Sequence, residues 1–172
     1  SLLFFYWTTN ETYNIQDGLE GLTEKQTKLA SYSNTPFTKL CIGMKVKKVT
    51  KWIRVDHKAS SLFDVMSSET FKPTKAGKDK WKSLIDNSSL QPNCNKEGLA
   101  YTKFDSASKN TKIRIGLVAS NDDHCNSPDS CIGFGISVRR DNKSRKKSCG
   151  NLVVSNWQQR IEISAFGFVL VK

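Results

Sequence analysis

Apolar positions fall in short blocks along the chain, and their spacing changes from block to block. Leu2 to Thr8 is apolar, aromatic and β-branched and predicts a buried strand. Asn14 to Ser31 is polar, with leucines at 19, 22 and 29, and predicts a short helix within a long surface excursion. From Cys41 to Val55 apolar and basic residues alternate through Ile42, Met44, Val46 and Val49 to Trp52, Ile53 and Val55. That period of two fits a hairpin with one wet face. Ser60 can cap a helix carrying Leu62, Phe63, Val65 and Met66. Gly77 to Asp86 predicts a second helix with Trp81, Leu84 and Ile85 on one side. Leu99 to Phe104 and Lys112 to Ala119 are strand-like, and Ile161 to Val171 reads as a central strand buried on both faces. Short helices among many strands, with no internal repeat or linker, predict one α+β domain over residues 1–172.

Composition narrows the class. A chain of 172 residues with 37% hydrophobic positions can bury a real core and is not a disordered tail. No apolar run approaches the roughly 20 residues of a membrane span. The chain opens on Ser1, which suggests a removed leader or a piece of a longer protein. Five cysteines (41, 94, 125, 131 and 149) include no Cys-x-x-Cys pair. Glycosylation sequons stand at Asn10, Asn87 and Asn142. Together these predict a secreted, extracellular protein with disulfides. The odd cysteine count leaves one thiol over, or one for a second chain.

The net charge of +11 calls for a partner. Its cations cluster at Lys45, Lys47, Lys48, Lys51 and Arg54, then at Lys72, Lys75, Lys78, Lys80 and Lys82. A third cluster holds Arg139, Arg140, Lys143, Arg145, Lys146 and Lys147 and reads as a loop around Asp141-Asn142. Such fields attract nucleic acid, anionic membranes or acidic glycans. The secretory features, and the lack of a stacking-aromatic RNA-binding motif, point away from nucleic acid and toward acidic polysaccharide. Catalytic patterns are missing: His57 and His124 lie in no hydrolase motif, and Gly133-Phe134-Gly135 lacks the third glycine of a phosphate cradle. A binding protein rather than an enzyme is the expectation.

The stretch 121–135 is the densest in chemistry. Asn121, Asp122, Asp123, His124, Asn126 and Asp129 crowd around Cys125 and Cys131. Many oxygens in a pinned loop suit calcium. The same residues also make an ordinary disulfide-tethered turn.

Cys41-Ile42-Gly43-Met44, Ala59-Ser60-Ser61-Leu62 and Trp81-Lys82-Ser83-Leu84-Ile85 resemble a domain of cnidarian secreted proteins found in the coral skeletal organic matrix. So do the blocks from Ser89 to Gly98 and from Cys125 to Asp129, and the resemblance covers about residues 2 to 172. Cys125-Asn126, Cys131-Ile132-Gly133, Ser148-Cys149-Gly150 and Ala165 to Val171 more distantly resemble the end of the intelectins, calcium-dependent lectins of the fibrinogen-related group. This likeness implies a single fibrinogen-related, intelectin-like α+β domain, with a twisted antiparallel sheet, short helices and long disulfide-tethered loops. It implies calcium held by Asn126, Asp129 and Asn151, with calcium in turn holding glycan hydroxyls. The family's acidic ligand falls on Pro128, its sugar-contacting histidine on Asp129, and its later aspartate on Asn151. Implied disulfides are Cys94–Cys125 and Cys41–Cys149, leaving Cys131 as the fifth thiol, buried or bridging a dimer. Size, basicity and cnidarian character are also similar to the cnidarins, antiviral proteins of soft corals, on context rather than on a motif.

Two functions follow as expectations. The first is lectin-like recognition of glycans or glycoproteins, viral envelope glycoprotein included, through Asp122, Asp123, Asn126, Asp129 and Asn151, with Trp157 stacking on a sugar. The alternative is a matrix or adhesion module that holds acidic macromolecules through the cluster at 139–147.

Overall fold

The computed structural model describes residues 5–106, 109–126, 128–140, 143–155 and 159–172, and only the backbone at 103–106, 109, 140, 143, 155, 159 and 160. It is a mixed α+β structure of two antiparallel sheets. In chain order the elements are α1 (Ile15–Leu19), α2 (Ser31–Asn34), β1 (Phe37–Val46), β2 (Val49–Ala59), α3 (Leu62–Ser67), β3 (Lys72–Pro73) and α4 (Lys78–Ser83). The strands β4 (Asn93–Ser106), β5 (Lys109–Ser120), β6 (Ser130–Arg140), β7 (Lys143–Ser155), β8 (Gln159–Ser164) and β9 (Phe166–Val171) follow. One sheet has the order β2-β1-β9, the other β3-β4-β5-β6-β7-β8.

Alternation in β1 drives the small sheet. Leu40, Ile42 and Met44 are fully buried, and Ile53, Val55, Val169 and Val171 share their face by register. Two short helices cover the gap between the sheets. Ser61, one residue after the expected cap, accepts the Asp64 N–H at 3.0 Å and opens α3. Met66 from α3, with Trp81, Leu84 and Ile85 in and after α4, joins the small sheet to Leu99, Ile115, Leu117, Ile132 and Phe134 in one apolar cluster. Buried Glu97 ties α4 to β4: its carboxylate accepts from Thr74 Oγ1 at 2.7 Å, Ala76 N–H at 2.5 Å and Gly77 N–H at 2.6 Å.

The large sheet is creased. Gly98, Gly116, Gly133 and Gly150 stand opposite one another on four adjacent strands. Gly133 and Gly150 have φ of 151° and 144°, a region that side chains rarely adopt. A β-carbon on Gly116 would lie 2.9 Å from the Gly133 Cα, and the Ile113 side chain folds over both glycines. The row Tyr101–Ile113–Ile136 on one side of the glycines meets Val118, Cys131 and Leu152 on the other in a second apolar cluster. A flat sheet would hold Ile113 and Val118 about 17 Å apart, five residues along one strand. Beside the crease, consecutive Leu99 and Ala100 both face the main cluster, with Ala100 at φ 53° and Gly135 at φ 60°.

Three expectations are corrected. Residues 5–8 form a turn and not a strand; their carbonyls serve side chains, Tyr6 O accepting from Lys28 Nζ at 2.7 Å and Trp7 O from Tyr32 Oη at 2.6 Å. Residues 1–4 of that segment lie outside the described residues. The stretch 161–171 is not one central strand: at Ala165, whose N–H bonds Cys149 O at 3.1 Å, the chain leaves the edge of the large sheet for the edge of the small one. In the basic stretch 139–147, Arg139 and Arg140 end β6 and Lys143 to Lys147 begin β7 rather than lying in a loop, and Asp141 and Asn142 lie outside the described residues.

Substituting Gly133→Ala is expected to cost about 3 kcal/mol or more in urea unfolding, because neither facing strand can retreat. Glu97→Ala should cost a similar ~3 kcal/mol by stranding three donors.

Candidate functional site

The disulfide Cys94–Cys125 is formed, with Cα atoms 5.2 Å apart, and joins the start of β4 to the β5–β6 loop. Asn93 Nδ2 adds a bond to Asn121 O at 2.6 Å, and Tyr101 Oη one to Cys125 O at 3.3 Å. Asp122, Asp123, His124 and Asn126 are exposed on this pinned loop. Asn126 also borders a cavity of about 250 Å³ walled by Phe71, Lys96, Tyr101, Thr102 and Cys125. Asp129 stands at the entry to β6, where its N–H bonds Ala119 O at 3.1 Å and its carbonyl accepts Val154 N–H at 2.6 Å.

Asn151 is elsewhere in function. It is 0% exposed, its Oδ1 accepts the Ser89 N–H at 2.9 Å, and its Nδ2 donates to Ser89 O and Cys131 O at 2.9 Å each. With Ser130 Oγ accepting Gln91 N–H at 2.8 Å, it straps residues 89–91 onto the large sheet. A calcium site of Asn126, Asp129 and Asn151 therefore does not fit: one donor is buried and already bonded, and Pro128 supplies no side-chain oxygen. Among the described residues no three His, Cys, Asp or Glu side chains gather as a metal site. Asn151 is corrected from ligand to structural clamp. Trp157 lies outside the described residues, as does the sequon Asn142; Asn10 and Asn87 are exposed.

The expected Cys41–Cys149 bridge is not made. Cys41 shares the outer face of β1 with Gly43, whereas Cys149 packs beneath Gly167, on the inner face of the same sheet. The sheet itself separates the two sulfurs. Burial also pushes the Cys149 thiol well up. Cys131 is 1% exposed, so the expected dimer bridge has no access to it.

The basic cluster is split by strand alternation. Arg145 and Lys147 face the β8 side, where Glu162 lies 3.9 Å from Arg145 Nη1 and 3.1 Å from Lys147 Nζ. Lys147 is 8% exposed and also bonds Ser164 Oγ at 2.8 Å. Arg139 and Lys146 point the other way and are exposed. Sequence reasoning missed their neighbours. Register sets Lys112 opposite Ser137, which is opposite Lys146, and aligns Lys109 with Arg140 and Lys143 in a row at the strand ends. Lys103 stands opposite Thr111 on β4. The alternation of Ile132, Phe134, Ile136 and Val138 carried the signal for β6. Glu69 partly offsets the patch, 2.5 Å from Lys112 and 3.3 Å from buried Arg114. Both cations hold its carboxyl below the usual range, Lys112 most strongly.

A cavity of about 540 Å³ runs between the N-terminal segment and the edge of β9. Its cations are already engaged. Lys28 donates to Tyr6 O and Thr9 O and sits 4.4 Å from the Tyr32 ring centroid; Lys25 bonds Asp17 and Glu20. The rest of its wall mixes apolar side chains such as Leu22, Leu29 and Phe166 with hydroxyls such as Thr23 and Ser148.

No protein-family model, curated protein or solved structure matches this chain.

Alkylation of the denatured, unreduced protein should label Cys41, Cys131 and Cys149 and leave the Cys94–Cys125 peptides linked; in the folded protein only Cys41 should label readily. Melting temperatures in calcium and in chelator should coincide. Asn151→Ala should lower stability by about 3 kcal/mol in chemical denaturation through the groups it strands.

Proposed function

We propose that the protein is a secreted, non-enzymatic binding protein that takes acidic glycans on the outer end of its six-stranded sheet, in the manner of a matrix or adhesion module. One observation carries this reading: register gathers cations from four adjacent strands at one end of the sheet, with Arg139 and Lys146 exposed on a common face beside Lys112. A polymer of sulfates or carboxylates matches such a row with a row of its own, and long-range attraction speeds its capture. Defence against a virus could act through the same contact with an envelope glycoprotein.

A lectin-like contact at the pinned loop is the second reading, supported by the cavity that Asn126 shares with Phe71 and Tyr101. There sugar hydroxyls would meet the loop's side chains directly, without calcium. The likeness to coral matrix domains and intelectins, and the fibrinogen-related fold, belong to this proposal. The Cys94–Cys125 bridge supports them, whereas buried Asn151 and the unmade Cys41–Cys149 bridge count against an intelectin-type metal site.

Surface plasmon resonance on immobilised heparin should show affinity falling at least about ten-fold between about 50 and 500 mM salt. The Arg139→Glu/Lys146→Glu double variant should weaken it about ten-fold more while keeping the wild-type melting temperature. Affinity indifferent to salt and to both charge reversals would remove the reading.

A further inference from the structure

The outer face of the small sheet carries an aromatic surface that the acidic-glycan reading does not use. Trp52, Gly43 and Phe168 stand side by side across β2, β1 and β9. Gly43 has no side chain, and the Trp52 indole occupies the vacated space. A β-carbon there would fall 2.6 Å from ring atom Cζ3 and 2.7 Å from both Cε3 and Cη2. Three contiguous ring atoms at nearly one distance mean that the ring meets the glycine face-on. Its opposite face is turned outward, and Trp52 is 41% exposed. Phe168, only 9% exposed, backs the indole at 5.7 Å and 27°, and Phe166 follows at 5.2 Å from Phe168. Leu170 and Cys41, in the next row, complete an apolar strip one ring wide.

Two cations on this face have carboxylate partners: Lys45 bonds Glu24 at 2.6 Å and Arg54 lies 3.4 Å from Asp56. That rim decides the chemical class. A phosphate or sulfate backbone crossing it would meet the carboxylates of Glu24 and Asp56 together with the cations. A neutral sugar has no such quarrel: its hydroxyls both donate and accept, so an ammonium–carboxylate pair serves them from either side. The ring face of a pyranose with its C–H bonds axial is weakly positive and suits the negative π-face of an indole. A hydrophobic surface alone would not select a ligand, but a flat π-face framed by ion pairs does.

We infer that the β2-β1-β9 face is a binding platform for a neutral pyranose, stacked on Trp52 and hydrogen-bonded by the Lys45–Glu24 and Arg54–Asp56 pairs. It is separate from the basic end of the large sheet, and either surface can work without the other.

The test is calorimetry of the whole chain with neutral hexasaccharides of β-1,4-glucose, β-1,4-N-acetylglucosamine, β-1,3-glucose and α-1,6-mannose. At least one should bind, with an affinity changed less than about two-fold between 50 and about 500 mM salt. Trp52→Ala should weaken that binding at least about ten-fold, the scale of losing one aromatic stack, and Trp52→Phe should keep it within about three-fold. Gly43→Ala, which lifts the indole without removing it, should also weaken binding. Each variant is compared at matched circular dichroism, so a misfolded Trp52→Ala leaves Trp52→Phe and Gly43→Ala to decide. The Arg139→Glu/Lys146→Glu variant should bind the neutral sugar as wild type does, which separates this surface from the anionic one. Four results would overturn the inference: no hexasaccharide bound by the folded wild type at about 1 mM, binding unaltered in Trp52→Ala, Trp52-dependent capture of oligo-dT instead of sugar, or a Trp52-dependent dimer in analytical ultracentrifugation.

Discussion

A β-carbon at Gly116 or Gly133 would run into the facing strand, and because Gly98 and Gly150 continue the same row, the six-stranded sheet can fold along one line. The fold gives a single sheet two apolar faces. One packs on the helices and the small sheet, and the other closes on itself around Ile113 and Leu152. Next to the line Trp7 and Glu69 still cover the other side of β5 and β6, where Arg114 is buried, and toward the strand ends that side opens to solvent. That bare surface is where Arg139 and Lys146 emerge. The missing side chains at the glycines thus set both the second core and the place where charge can collect.

Local patterns announced much of this. Leu40, Ile42 and Met44 alternate as a half-buried strand must, and the hairpin forms where that period placed it. The α4 helix was visible in Trp81, Leu84 and Ile85, although its regular part ends earlier at Ser83. Other features depend on who stands beside whom. The glycines recur at nearly even spacing along the sequence, yet only pairing shows that they form a row. Lys112 lies far in sequence from Arg139 and Lys146, so its membership of their patch follows from register alone. Asn151 misled for a different reason. An amide is equally good as a ligand, a sugar contact or a clamp on a neighbouring backbone, and composition does not distinguish these uses. The Cys41–Cys149 pairing failed on parity: one residue of shift along a strand moves a sulfur to the other side of the sheet.

Charge on the molecule is organised rather than simply abundant. On the small sheet Lys45, Lys51 and Arg54 each have a carboxylate partner, and near the N-terminal segment Lys25 and Lys28 are held by carboxylates and carbonyls. Arg145 and Lys147 share Glu162. Arg139 and Lys146 stand exposed toward one end of the large sheet, whereas the aromatic strip is bordered by the Lys45–Glu24 and Arg54–Asp56 pairs. Two surfaces with different electrical character, on different sheets, allow one molecule to touch a charged polymer and an uncharged sugar together, each strengthening the other by proximity.

The strand β1 pairs on one edge with adjacent β2 and on the other with distant β9, and the second link extends past the strands, with Lys39 and Lys172 exchanging backbone bonds. During synthesis β1 can form its hairpin with β2 early, but its other edge must wait until β9 has left the ribosome. In that interval an apolar strand edge bearing Leu40 and Ile42 stays open to neighbouring nascent chains. Late closure of that edge is the folding consequence of pairing an early strand with a distant one in the same sheet.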